Sequence, residues 1–342
     1  MDFNEFKKTL PKKVSRKFTA RYYGTRDLKI FPIEFLDYVD ECPSFIDVTA
    51  GGGRFIYDQA LKGKTVGAND RCYYSYLALS AVLEKKTFED NWFERLYTLT
   101  LSGNQCNCGV VGYFSSNGKK SFVNDTLRSY IDEICMVYTD DPFVLYAIGK
   151  AIRSIFTYRG LGWCPQTPFD MPSTLVSIEY FHKVFMKAAW TTYLYASQLQ
   201  KKHRVFYLDA LDAIETGFSD SLIRDSMVYA DPAWPWEKGS NNPYAWFTND
   251  LSSILQQHDA SVEYWPRDAD IILEDIYQWG YTALKRGAKY FTICGQDTNF
   301  PSLAIIRAYM SQKFNEVKWV EVKDQSKAAH RIYTTGWGVY SQ

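Results

Sequence analysis

Three consecutive glycines, Gly51, Gly52 and Gly53, lie between a short apolar run, Phe45-Ile46-Asp47-Val48, and a segment of helical spacing that begins at Arg54. A turn built this way lets backbone approach a ligand closely because no Cβ intervenes, and the helix start that follows favours polar groups. Seventeen residues beyond Gly53, the next strand-like run, Val66-Gly67-Ala68-Asn69, ends at Asp70. An acid in that place can accept both hydroxyls of an adenosine ribose, as its counterpart does in dinucleotide-binding units. A plain tight turn explains three glycines about as well. The order strand, glycines, helix, strand, acid is therefore what constrains the chain.

Strand-like and helical runs alternate along the rest of the sequence. Ser44 to Val48, Thr65 to Ala68, Arg204 to Leu208, Met227 to Ala230, Tyr290 to Cys294 and Val317 to Val322 are short β-branched or aromatic runs. Most are separated by helical patterns, among them Arg54 to Leu61, Cys72 to Leu83, Ile271 to Arg286 and Leu303 to Phe314. Such alternation predicts an α/β fold with a mostly parallel, doubly wound sheet. Residues 91–203 read differently: they are rich in Tyr, Phe, Leu and Ala, with helical spacing over Val144 to Phe156 and Ser177 to Leu199. The expected organisation is a sheet domain from 1–90 and 204–342, interrupted by a largely helical insertion at 91–203.

At 342 residues and 46% hydrophobic content, the chain can bury a substantial core. It contains no apolar run of membrane-spanning length, and Met1 to Lys17 lacks the continuous apolar stretch of a signal peptide, so an intracellular, non-membrane protein is expected. The seven cysteines (42, 72, 106, 108, 135, 164 and 294) are odd in number and scattered, which predicts reduced thiols. Cys106 and Cys108 are too close for the usual zinc-ligand spacing, and the four histidines form no helical ligand pair, so no metal site is expected. Formal charge sums to zero, yet residues 1–30 carry nine Lys or Arg against three acids, a local net of +6. That arm is either a solvated, frayed terminus or the first place to look for polyanion contact.

A second constellation is Val228-Tyr229-Ala230-Asp231-Pro232-Ala233-Trp234, a strand ending in an acid. Taken alone it is a strand-ending turn with a buried tryptophan. In an open parallel sheet, however, ligands bind outside the carboxyl ends of strands, which would bring Asp231 and the glycine turn to one cleft. The following stretch, Pro235 to Asn249, is rich in Gly, Ser, Asn and aromatics and has the composition of a lid.

Together these segments resemble the Dam-like, alpha-arranged adenine-specific DNA methyltransferases. The resemblance rests on Arg21-Tyr22-Tyr23-Gly24-Thr25-Arg26, on Asp47 to Gly53, on Asn69-Asp70 and on Asp231-Pro232-Ala233-Trp234, in that order and with a helical insertion before the last. It implies a Rossmann-like methyltransferase sheet that binds S-adenosylmethionine through Tyr22, Gly24, Asp47, Ala50, Gly51, Gly52, Gly53 and Asp70. It also implies methyl transfer to the exocyclic amino group of a flipped adenine in DNA, in the cytoplasm of a bacterial or phage-infected cell. Asp231 and the Pro232 carbonyl would accept the amino hydrogens, and Trp234 would stack on the base. Ala233 stands where the family has a second proline and Arg26 where it usually has lysine. An RNA adenine methyltransferase, and a catalytically silent relative that binds nucleic acid or a partner, are the alternatives these departures leave open.

Overall fold

The computed structural model describes residues 2–14, 18, 31–89, 91–102, 125–156, 177–232, 234, 251–257, 268–298, 300–326 and 331–342. Seven strands form one mixed sheet in the order β3-β2-β1-β4-β5-β7-β6. They are β1 (Ser44–Asp47), β2 (Thr65–Asn69), β3 (Arg204–Phe206), β4 (Met227–Ala230), β5 (Tyr290–Gln296), β6 (Asn315–Ser326) and β7 (Arg331–Ser341). Strands β1 to β5 are parallel neighbours, whereas β7 runs antiparallel to both β5 and β6. The result is an α/β fold with a mostly parallel core flanked by helices.

Side chains on successive residues of a strand point to opposite faces, and both faces here are covered, so the central strands are apolar without alternation. Ile46, Val228 and Ile293 pack on one face against Ile272, Ile276 and Trp279 of helix Ala269–Lys285 and against Ile306 and Met310 of helix Leu303–Lys313. On the other, Phe45 and Tyr229 meet Phe55 of helix Arg54–Leu61 edge-on, at ring separations of 4.9 and 5.5 Å. Each ring so buried contributes about 1.5–3 kcal/mol. Cys42, Cys72, Cys135 and Cys294 are buried and reduced.

The strand signals in the sequence mark six of the seven strands. They miss β7 because Gly336 and Gly338 read as breakers, yet both glycines have a packing reason. Gly338 lies directly opposite Trp319 of β6, and a Cβ built there would stand 2.0 Å from the indole ring. The missing side chain is the space that the tryptophan fills.

The chain divides into two compact units. The sheet unit comprises Phe18–Leu79, Leu199–Ala245 and Val262–Gln342; the helical unit comprises Met1–Lys17, Ser80–Gln198 and Trp246–Ser261. Beyond the 91–203 insertion expected from sequence, the helical unit thus takes in the N-terminal residues and 246–261, and the division falls within helix Tyr73–Leu83. Helices Trp92–Ser102, Asp125–Val137, Pro142–Phe156 and Ile178–Ala196 build it. Its core is aromatic: Phe93 packs against Phe143, Trp190 and Tyr193. The described part of the N-terminal arm is no frayed tail. Phe6 of helix Phe3–Lys8 stacks on Tyr97 at 5.2 Å, and Trp190 donates its indole N–H to the Pro11 carbonyl at 2.9 Å. No helix among the described residues is long and apolar enough to cross a membrane.

Two measurements check this account. Gly338→Ala should lower stability by about 1–3 kcal/mol through overpacking, read as a lower denaturant midpoint at unchanged slope, and its cost should be smaller when measured in a Trp319→Ala background. The second concerns His203, whose Nδ1 accepts the Val66 N–H at 3.3 Å at the start of β2. Burial, helped by Lys201, lowers its pKa from 6.5 to about 4. The unfolded chain therefore binds a proton between these values and the native chain does not, so this histidine's contribution is whole above pH 6.5 and is lost as pH falls toward 4. His203→Asn, which keeps an acceptor but does not titrate, should reduce the acid loss of stability across that window relative to the parent.

Candidate functional site

The site is the rim formed by the carboxyl ends of β1, β2 and β4, with β3 beside β2. Strand order reverses direction between β1 and β4, and a cleft for ligands opens at such a point in doubly wound sheets. What the chain does after each strand end follows from its residues.

After β1, the Asp47 carboxylate turns back to accept the Thr49 N–H at 3.1 Å, which starts the turn. Ala50 donates its N–H to the Asn69 carbonyl at 2.9 Å, so β2 holds the middle of the turn. Gly51 follows at φ +50° and Gly53 at φ +69°, left-handed values that favour glycine. A Cβ at Gly51 would meet nothing closer than the Thr49 carbonyl at 3.9 Å, so conformation alone requires that glycine. At Gly53 a Cβ would lie 2.6 Å from Leu79 Cδ2 and 3.2 Å from Phe18, so packing requires it too. Gly52 is buried between them. Gly53 then caps helix Arg54–Leu61 without a side chain, leaving the helix start unscreened.

Asp70 is tied to this turn directly. Its Oδ2 accepts the Gly51 N–H at 2.6 Å, while its Oδ1 accepts the Cys72 N–H at 2.7 Å. Each carboxylate oxygen keeps a further lone pair, so the group can still take hydroxyl donors. Asn69, which the sequence reading noted only as the partner of Asp70 in a motif, proves central. Its amide donates to the Val48 and Leu208 carbonyls, both at 3.1 Å, and its carbonyl accepts the Leu208 N–H at 3.1 Å. One buried side chain thus fastens the ends of β1, β2 and β3. The signal in the sequence was a polar residue closing an apolar strand, which only the neighbouring strand ends make meaningful.

After β4, Asp231 donates its backbone N–H to the Thr49 hydroxyl at 2.8 Å. The glycine turn and the Asp231 segment are therefore hydrogen-bonded neighbours, joined by a residue the sequence reading passed over. The Pro232 carbonyl accepts the Trp234 N–H at 2.8 Å, closing a tight turn. Trp234 itself is 4% exposed, part of the core, and donates its indole N–H to the Cys294 carbonyl of β5 at 2.9 Å. As it stands, the ring anchors the turn. Tyr22, Gly24 and Ala233, with the lid aromatics Tyr244 and Trp246, lie outside the described residues.

The rim is strongly acidic. Burial, and then the neighbouring Asp231 and Asp70 carboxylates, hold Asp47 well above the usual carboxylate range, against the opposing pull of the Thr49 N–H. Burial pushes Asp70 up to about 6 despite its two backbone donors. Three acidic side chains thus stand at adjacent strand ends. Among the described residues no group of three His, Cys, Asp or Glu has the arrangement to hold a metal ion.

The Thr49 link is open to test. Thr49→Val leaves the half-buried Asp231 N–H without its acceptor and should cost about 1–3 kcal/mol, whereas Thr49→Ser, which keeps the hydroxyl, should recover most of that loss in the same urea titration. Neither a known protein-family profile nor a curated protein sequence matches this chain, so the functional reading rests on the residues and their geometry.

Proposed function

We propose that the sheet unit binds S-adenosylmethionine at the glycine turn and transfers its methyl group to the exocyclic amino group of adenine in DNA, with the helical unit contributing target recognition. The observation that carries this reading is the 2.8 Å hydrogen bond from Asp231 to Thr49. It holds the segment suited to the acceptor base against the turn suited to the methyl donor, and group transfer needs the two reactants held together.

The residues present suit that cofactor. Its net positive charge suits the acidic side chain of Asp70, and its ribose hydroxyls match the open lone pairs of that group beside a left-handed glycine turn. Bound there, it supplies a methyl group on a positively charged sulfur. The remaining task belongs to this chain. An adenine amino group is a poor nucleophile because its lone pair is delocalised into the ring. It requires acceptors for its hydrogens rather than a covalent helper. Asp231 is the acceptor for one hydrogen and the Pro232 carbonyl, which has a second lone pair beyond the Trp234 N–H, for the other. Drawing both hydrogens turns the nitrogen lone pair toward the methyl donor. Trp234 acts by positioning: its bond to Cys294 fixes the Asp-Pro turn to β5, and the closed core around it leaves stacking on the base to other aromatics.

Asp231→Ala separates chemistry from binding. Its backbone bond to Thr49 survives the substitution, so S-adenosylmethionine affinity should stay close to the parent's while radiolabelled methyl transfer to adenine falls by at least about 100-fold. A folded Asp231→Ala chain that transfers at the parental rate would assign the Asp-Pro-Ala-Trp segment a purely structural role.

A further inference from the structure

The helical unit carries a basic face that the transfer chemistry does not use. Lys7, Lys8, Lys12 and Lys13 are all exposed on the packed N-terminal arm. The bond from Trp190 to the Pro11 carbonyl delivers Lys12 and Lys13 to helix Ile178–Ala196. On that helix Phe181, Phe185, Ala188, Ala189 and Thr192 are buried and set the inward side. Tyr180, Lys183 and Lys187 follow at three- and four-residue spacing on the outward side, so they form one stripe. Both lysines are exposed, and Tyr180 is 52% exposed, an unusual position for a tyrosine with no core to fill. The same helix contributes Trp190, three residues beyond Lys187, to the arm contact. The Trp190 bond thus brings the arm to the end of the stripe.

Acids on these two elements are outnumbered. Asp2 caps helix Phe3–Lys8 by accepting the Glu5 N–H at 2.8 Å, so its charge serves the helix start. Glu179, beside Lys183, is held by the Ser177 hydroxyl at the start of its own helix. Six lysines against Asp2, Glu5 and Glu179, on two elements joined by the Trp190 bond, match a run of phosphates.

We propose that the ordered arm and the outward stripe of helix Ile178–Ala196 form a single surface for the phosphate backbone of duplex DNA. The inference rests on the reading that the chain acts on nucleic acid, and it goes beyond it by naming the contact residues. Bound lysines displace condensed counterions, so the surface has a measurable signature in salt dependence.

The test is fluorescence anisotropy of the full chain with a labelled mixed-sequence duplex from low to physiological salt, S-adenosylmethionine present. Three variants are compared with the parent: Lys7, Lys8, Lys12 and Lys13→Gln; Lys183 and Lys187→Gln; and all six together. Each lost phosphate contact should flatten the plot of log affinity against log salt by about 0.9, so the combined variant should be shallower by about 2 or more. Each partial variant should account for part of that change, while Lys285→Gln with Lys313→Gln, in the sheet unit, should leave the slope alone. An unchanged slope in the folded combined variant, with the parent binding normally, overturns the surface and leaves the methyltransferase reading standing. A parent that binds phosphatidylserine vesicles and not the duplex overturns both the surface and the choice of DNA as substrate.

Discussion

The Asn69 side chain makes three hydrogen bonds, to Val48 and twice to Leu208, and with them joins the carboxyl ends of β1, β2 and β3. These are backbone groups at strand ends, where ladder pairing stops and partners must come from elsewhere. Because β1 is held there, the chain leaving it must turn at once, which left-handed Gly51 and Gly53 permit. Because β2 is held there, Asp70 emerges beside that turn and accepts its Gly51 N–H. Thr49 extends the same network to Asp231 on β4. A rim stitched in this way fixes Asp70 and Asp231 relative to the glycine turn, the preorganisation that the proposed group transfer would require.

Much of the architecture was legible because it depends on local pattern. Strand runs separated by helical spacing announce a mostly parallel sheet, and Gly51 to Gly53 announce the tight turn that leaves β1. The strand that escaped, β7, contradicts its local signal: Gly336 and Gly338 look like breakers until Trp319 on the facing strand is seen to occupy the space they vacate. Thr49 and Asn69 escaped for a related reason. Their partners lie 182 residues away at Asp231 and 139 residues away at Leu208, and no window of sequence contains both ends of such a bond.

Trp234 teaches a different lesson. Motif likeness supplied a stacking role, while the alternative of a strand-ending turn with a buried tryptophan was equally readable from the residues. The structure has that buried ring, bonded to Cys294, and the two readings differ only in what lies next to the side chain. The arm differs again: its lysines were plain in the sequence, but Phe6 and Pro11 docking against Tyr97 and Trp190 turned a run of charge into an ordered surface.

The concentration of carboxylates links the rim to its proposed ligand. Burial first, and then Asp231 and Asp70, hold Asp47 toward its neutral form. In the proposed reaction S-adenosylmethionine would bring a positive charge together with the group to be transferred, and adenine would bring the amino group that Asp231 accepts a hydrogen from. The direct measurement is incubation of the full chain with methyl-labelled S-adenosylmethionine and mixed-sequence duplex DNA, followed by digestion to nucleosides and separation. Label is expected in N6-methyldeoxyadenosine. Label confined to cytosine, or recovered only in the unreacted cofactor, would contradict the proposed transfer.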